Sequence, residues 1–155
     1  MSNSFIHLHL HSEYSISDSL IRIEELIDHI SKNKSPAVAI TDNNNIFSLI
    51  KFYKTAIKKG VKPIIGIEIN LEDKLDTEDF SKIVLLCKNL KGFQNLSSLI
   101  TESYINLNDG EVFKVSRENL AQKSEGLIAL SGGIHGDLAK AIKLERNDLI
   151  EESIN

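Results

Sequence analysis

The stretch Ala37-Val38-Ala39-Ile40-Thr41 is a continuous apolar run set between the breaker Ser35-Pro36 and the polar turn Asp42-Asn43-Asn44-Asn45. A strand with one wet face alternates apolar with polar residues. A run without that alternation belongs to a strand covered on both faces. Covering both faces of a sheet takes helices, so this one segment already points away from all-α and all-β folds and toward an α/β architecture.

The remaining segments repeat the pattern. Residues 5–10 read as a first, short strand, and Ser19 is placed to cap a helix running to about residue 32, with Leu20, Ile23, Leu26, Ile27 and Ile30 recurring at three and four. A second helix over about 46–59 carries Leu49, Ile50, Tyr53 and Ile57 on one side and stops at Gly60. Further strands are expected at 64–69, 83–87 and 127–130. Helices are expected at 92–104, with Phe93, Leu96, Leu99 and Ile100 as its buried stripe, at 117–122, and after His135. Residues 106–116 read as a surface loop. Five strands with helical segments in four of the gaps predict a parallel sheet or barrel in one domain.

Charge and composition narrow the function. A net charge of −4 argues against an autonomous nucleic-acid binder, which needs a basic face, and Lys51, Lys54, Lys58, Lys59 and Lys62 have the spacing of the wet side of a helix. No apolar run approaches the ~20 residues of a membrane helix. Met1-Ser2-Asn3-Ser4 lacks the basic and apolar regions of a signal peptide, so a cytoplasmic protein is expected. The one cysteine, Cys87, lies in an apolar run as a buried, inert thiol.

In parallel α/β folds, functional groups collect at the carboxyl ends of the strands. Those ends hold His9, His11 and Asp18 after the first strand, Asp42 and Asn43 after the second, Glu68 on the third, and the Gly132-Gly133-His135 turn after the fifth. A strand of period two aims His9 and His11 at one face, with His7 in the same row. Two histidines and two carboxylates suit zinc, manganese or iron, and such an ion could ionise a water for attack on a phosphate ester. Histidines at i and i+2 also occur as hydrogen-bonded structural residues, so the spacing alone leaves both readings open. Asp42 is a ligand or a cap for the next helix. His29 reads as a solvent-exposed helix residue, and His135 as a surface histidine or part of an anion site at a helix start. Phe52 and Tyr53 read as core.

Several longer motifs agree in order along the whole chain. They are the run from Phe5-Ile6-His7-Leu8-His9-Leu10-His11-Ser12 to Asp18, the segment Ala37 to Asn45, the stretch Gly60-Val61-Lys62-Pro63-Ile64-Ile65-Gly66-Ile67-Glu68, and Gly126-Leu127-Ile128-Ala129-Leu130-Ser131-Gly132-Gly133. Together they resemble the amino-terminal PHP (polymerase and histidinol phosphatase) domain of bacterial DNA polymerase III alpha subunits. The resemblance implies a distorted, seven-stranded, TIM-like β/α barrel, of which these 155 residues carry the first five strands and are incomplete at the carboxyl end. Residues 1–155 would then be a partial PHP domain without palm, thumb or fingers modules. Family members that keep their trinuclear metal centre act as phosphoesterases or 3′–5′ exonucleases.

By position, the family's metal ligands fall on His9, His11, Asp18 and Glu68. Other ligand positions hold Asn43, Lys82 and Gly133, and the closing Asp-x-His motif would lie beyond Asn155. The resemblance therefore implies a vestigial site with no catalytic residue assigned, and no cofactor unless the residue of the site takes zinc or manganese. It implies a scaffold or docking role toward a proofreading, epsilon-type subunit, inside a DNA-directed DNA polymerase whose nucleotidyltransferase and DNA contacts lie in missing modules. The alternative is a stand-alone, metal-dependent phosphoesterase of the histidinol-phosphatase kind. A fragment of this sort is expected to leave an unpaired sheet edge and exposed apolar faces, and so to self-associate.

Overall fold

In the computed structural model, which describes residues 5–16, 18–73 and 79–154, the apolar run becomes strand β1 (Ala37–Ile40), buried at every position. Ser17 of the first motif and the terminal Asn155 lie outside the described residues. β1 pairs in parallel with β2 (Lys62–Glu72), from Ala37 opposite Lys62 to Ile40 opposite Ile65. Among the described residues the sheet has four strands, in the order β1-β2-β3-β4 with β3 at Phe80–Cys87 and β4 at Leu127–Ser131. The chain forms two compact units, Met1–Ile67 and Glu68–Asn155, and β2 runs from one into the other.

The core of the first unit joins Ile23, Ile27 and Ile30 of α1 (Ile23–Lys32) to Val38 and Ile40 of β1 and to Phe52 and Ala56 of α2 (Leu49–Lys58). Each such side chain contributes roughly 1.5–3 kcal/mol by leaving water. Two expectations are corrected here. The helix begins at Ile23 instead of after Ser19: the Ser19 hydroxyl donates to the His11 carbonyl at 2.8 Å and accepts from the Ile21 amide at 3.2 Å, which holds residues 19–22 in the loop ahead of the helix. Leu20 is consequently 97% exposed. On α2 the buried side is the one carrying Phe52 and Ala56, while Ile50, Tyr53 and Ile57 face solvent.

Residues 5–10 are not a ladder strand. The segment follows β1 in parallel through two backbone bonds, Ala39 N–H to the His7 carbonyl at 2.8 Å and Thr41 N–H to the Leu10 carbonyl at 2.9 Å. Three steps along the segment thus match two along β1, so one residue is extra, and the chain bends at Leu8 and His9 as a bulged strand does.

In the second unit β3 and β4 are antiparallel, from Ile83 opposite Ser131 to Cys87 opposite Leu127, which corrects the all-parallel expectation. The cause lies in how the chain re-enters the sheet. Between the strands run α3 (Leu90–Ile105) and α4 (Arg117–Gln122). They bring the chain back to the end of β3: Lys88 N–H donates to the Gly126 carbonyl at 2.8 Å, and the Asn95 side chain donates to the Glu125 carbonyl at 2.8 Å. A strand that starts where its neighbour ends can only run backwards. Residues 106–116 are also more than a surface loop. Phe113 and Val115 are buried, and Val115 bridges to Leu71 of β2 in parallel.

After β4 come a 3₁₀ turn (Gly133–His135), α5 (Asp137–Lys143) and α6 (Asn147–Ile154). Lys140 of α5 donates to Asp73, Asp79 and the Phe80 carbonyl, all within 2.8 Å, and so ties α5 to the residue after β2 and to the start of β3. Among the described residues no helix is long and apolar enough to cross a membrane.

Candidate metal centre

In the first unit, a polar clamp shapes the loop that carries the histidines. Asp42, at the end of β1, is 1% exposed and accepts from the Ser12 amide at 2.7 Å, the Ser12 hydroxyl at 2.8 Å and the Ser15 hydroxyl at 2.8 Å. The Ser15 hydroxyl in turn accepts from the Asn43 amide at 3.0 Å. Asn45 donates to the carbonyls of Tyr14 and Asn43 and accepts from the Phe47 amide. The loop closes on itself where Glu13 N–H meets the Ile21 carbonyl at 2.8 Å. Asp42 therefore neither caps α2 nor stands free as a ligand. It holds the first loop against the second. Sequence reasoning missed Ser12, Ser15 and Ser19 as positioning residues, because serine near a turn carries no signal beyond turn propensity.

The clamp sets the histidines. His9 and His11 stack edge to face with ring centroids 5.2 Å apart, and each offers a nitrogen within 4.8 Å of the other's. The expected convergence is present, and it comes from a bend instead of strand alternation. His7 leaves the row: it is exposed, with its ring 4.8 Å from that of Phe5. Asp18 lies 2.9 Å from Nδ1 of His11. A carboxylate on Nδ1 fixes the ring's orientation and directs Nε2 the other way, the arrangement usual behind a ligating histidine. His29 is exposed on α1, as expected, and bonds Asn33 at 2.8 Å.

In the second unit, Glu68 projects from β2 with 5% of its side chain exposed, and its Oε2 receives the Lys82 ammonium of β3 at 2.9 Å. Gly133 has no side chain to donate, and His135 is exposed in the 3₁₀ turn. A separate cavity of about 450 Å³ lies among β3, β4, α4 and α5, with leucines the commonest lining residue and Lys82, Arg117 and Asp137 as its charged ones; Arg117 and Asp137 pair with each other.

These donors do not fit the family's three-ion centre. Position 43 offers an amide, position 133 offers nothing, and position 82 offers a cation. An ammonium ~4 Å from a divalent ion repels it by on the order of 8 kcal/mol at an effective dielectric of about 20. The first loop keeps two histidines with an orienting carboxylate, while the buried carboxylate of β2 is already neutralised.

Comparison with known proteins adds three findings. The PHP domain family matches residues 7–155. Curated relatives are DNA polymerase III alpha subunits. That of Pseudomonas fluorescens is 42% identical over 142 residues, covering 92% of this chain and 12% of the subunit, and that of Escherichia coli strain K12 is 34% identical over 150 residues, covering 97% and 13%. The chain thus spans only 12–13% of the length of these relatives. Among solved structures, an amidohydrolase from Chromobacterium violaceum, with bound sulfate and no metal, aligns at a TM-score of 0.50 and 20% identity over 94% of this chain and 45% of that one. At that identity the likeness speaks to the fold alone.

Proposed function

The chain belongs to the PHP domain family, and from that premise we propose that it is the amino-terminal PHP portion of a DNA polymerase III alpha subunit, acting in replication as a scaffold and not as a phosphoesterase. On this reading it carries the first strands of a seven-stranded barrel, and polymerisation and DNA contact belong to other parts of the subunit. His9, His11, Asp18 and Glu68 are then the remains of a metal site. The observation that carries the reading is the Glu68–Lys82 ion pair, because it commits the one buried family carboxylate of β2 to an internal cation. The partner is another polymerase III subunit, a proofreading exonuclease of the epsilon type, and the location is the cytoplasm.

The test is co-purification of the intact-length alpha subunit with its exonuclease subunit, together with the same measurement on this chain. Retention of the exonuclease by both supports docking through the PHP portion. An intact subunit that retains none overturns it.

A second reading, a phosphoesterase using zinc or manganese, rests on the approach of the His9 and His11 nitrogens. It requires bound metal and hydrolysis of a generic phosphomonoester, both lost in His9→Ala with His11→Ala. A rate at background in the native chain removes it.

A further inference from the structure

Glu68 sits on β2 with only 5% of its side chain exposed, so its carboxylate is placed where a lone charge is strongly disfavoured. Lys82 answers it from the neighbouring strand, with its ammonium 2.9 Å from Oε2 and 20% of its side chain exposed. Its position is held at the backbone as well. The turn after β4 presses on the Lys82 carbonyl so closely that a Cβ at Gly132 would lie 1.9 Å from that oxygen. Lys82 is thus a cation on a rigid strand, held by close packing, against a carboxylate of the kind that binds hard or borderline metal ions.

We infer that Lys82 is a tethered replacement for a bound cation: its ammonium supplies Glu68 with the positive charge that an ion would otherwise bring, and the second unit is stable without metal because of it. The pairing supports this: a divalent ion added beside Glu68 would meet the Lys82 ammonium already in contact with Oε2, and like charges repel. The inference goes beyond the scaffold reading and does not need it, since a chain that fails to bind an exonuclease would still have to neutralise Glu68.

The test uses the full chain and four variants: Lys82→Met, Glu68→Gln, the two combined, and Lys82→Arg. The readouts are melting temperature in EDTA and in manganese or zinc chloride, and metal content after dialysis. The native chain is expected to melt at the same temperature in all three solutions. Lys82→Met, which takes the ammonium away from a buried anion, is expected to melt at least ~5 °C lower, and the combined variant to recover more than half of that loss. If Lys82→Met does not fold, Lys82→Arg, which keeps the charge, is expected to retain native stability and indifference to metal. The inference is overturned if the native chain retains one zinc or manganese ion that Glu68→Gln abolishes, or if Lys82→Met melts with the native chain.

Discussion

Asp42 receives two hydroxyls and a backbone amide while 1% exposed, and it links the loop carrying His11 to the end of β1. Removing it strands several buried donors at once, each worth about 1–3 kcal/mol when left unpaired. Asp42→Ala is therefore expected to lower unfolding free energy by about 3–5 kcal/mol in urea, with Asp42→Asn losing less because an amide still accepts; a loss under about 0.5 kcal/mol would refute the clamp. The sequence left Asp42 open between ligand and cap, and no local pattern could decide, since its partners lie 27 and 30 positions away. Cys87 was legible in part: the apolar run predicts a buried thiol, and the residue is half-buried at the end of β3. Burial pushes its thiol from 9.0 up to about 11. The folded state therefore favours the protonated thiol, a contribution complete below pH 9 and lost as pH rises toward 11. At pH 8, alkylation of Cys87 is expected to be about a hundredfold slower in the folded chain than in urea, following the thiolate fraction; equal rates would contradict it.

At the scale of elements, the existence of the helices was easier to read than the directions of the strands. Of the stripe Phe93, Leu96, Leu99 and Ile100 of α3, the last three are buried as expected, and Phe93 is half-buried. Nothing in residues 127–130 says that β4 runs antiparallel, because a strand's direction is decided by where its connection returns it. That return depends on two glycines. Gly126 has a φ of +78°, and a Cβ on Gly92, in the first turn of α3, would lie 1.9 Å from the Gly126 carbonyl oxygen. Glycine to alanine inside a helix ordinarily stabilises by roughly 1 kcal/mol. Here the sign reverses: Gly92→Ala must push β4's entry away from α3, and a destabilisation of about 2–4 kcal/mol is expected, with loss of amide-exchange protection at Lys88 and along β4. A variant as stable as the native chain would mean that this close approach does not set the course of β4.

At the scale of the whole molecule, membership of the PHP family was legible because motifs from residue 7 onward recur in order, whereas the number of strands was not, since the bulged segment at 5–10 has strand composition without a strand's ladder. The buried side of α2 was misread in the same way. Ile50, Tyr53 and Ile57 share a helical stripe and read as core, yet they are 63%, 51% and 56% exposed, because Phe52 and Ala56 occupy the side of α2 that meets the core. An apolar stripe of this kind on a folded chain favours association. Light scattering at rising concentration is expected to give a mass above the 17.3 kDa of one chain. Replacing the stripe in Ile50→Lys with Ile57→Glu, both solvent-facing and outside the core, should return the mass to one chain without lowering the melting temperature. If the native chain stays at 17.3 kDa throughout, the stripe does not drive assembly; if the double variant also unfolds, α2 buries a different face from the one described.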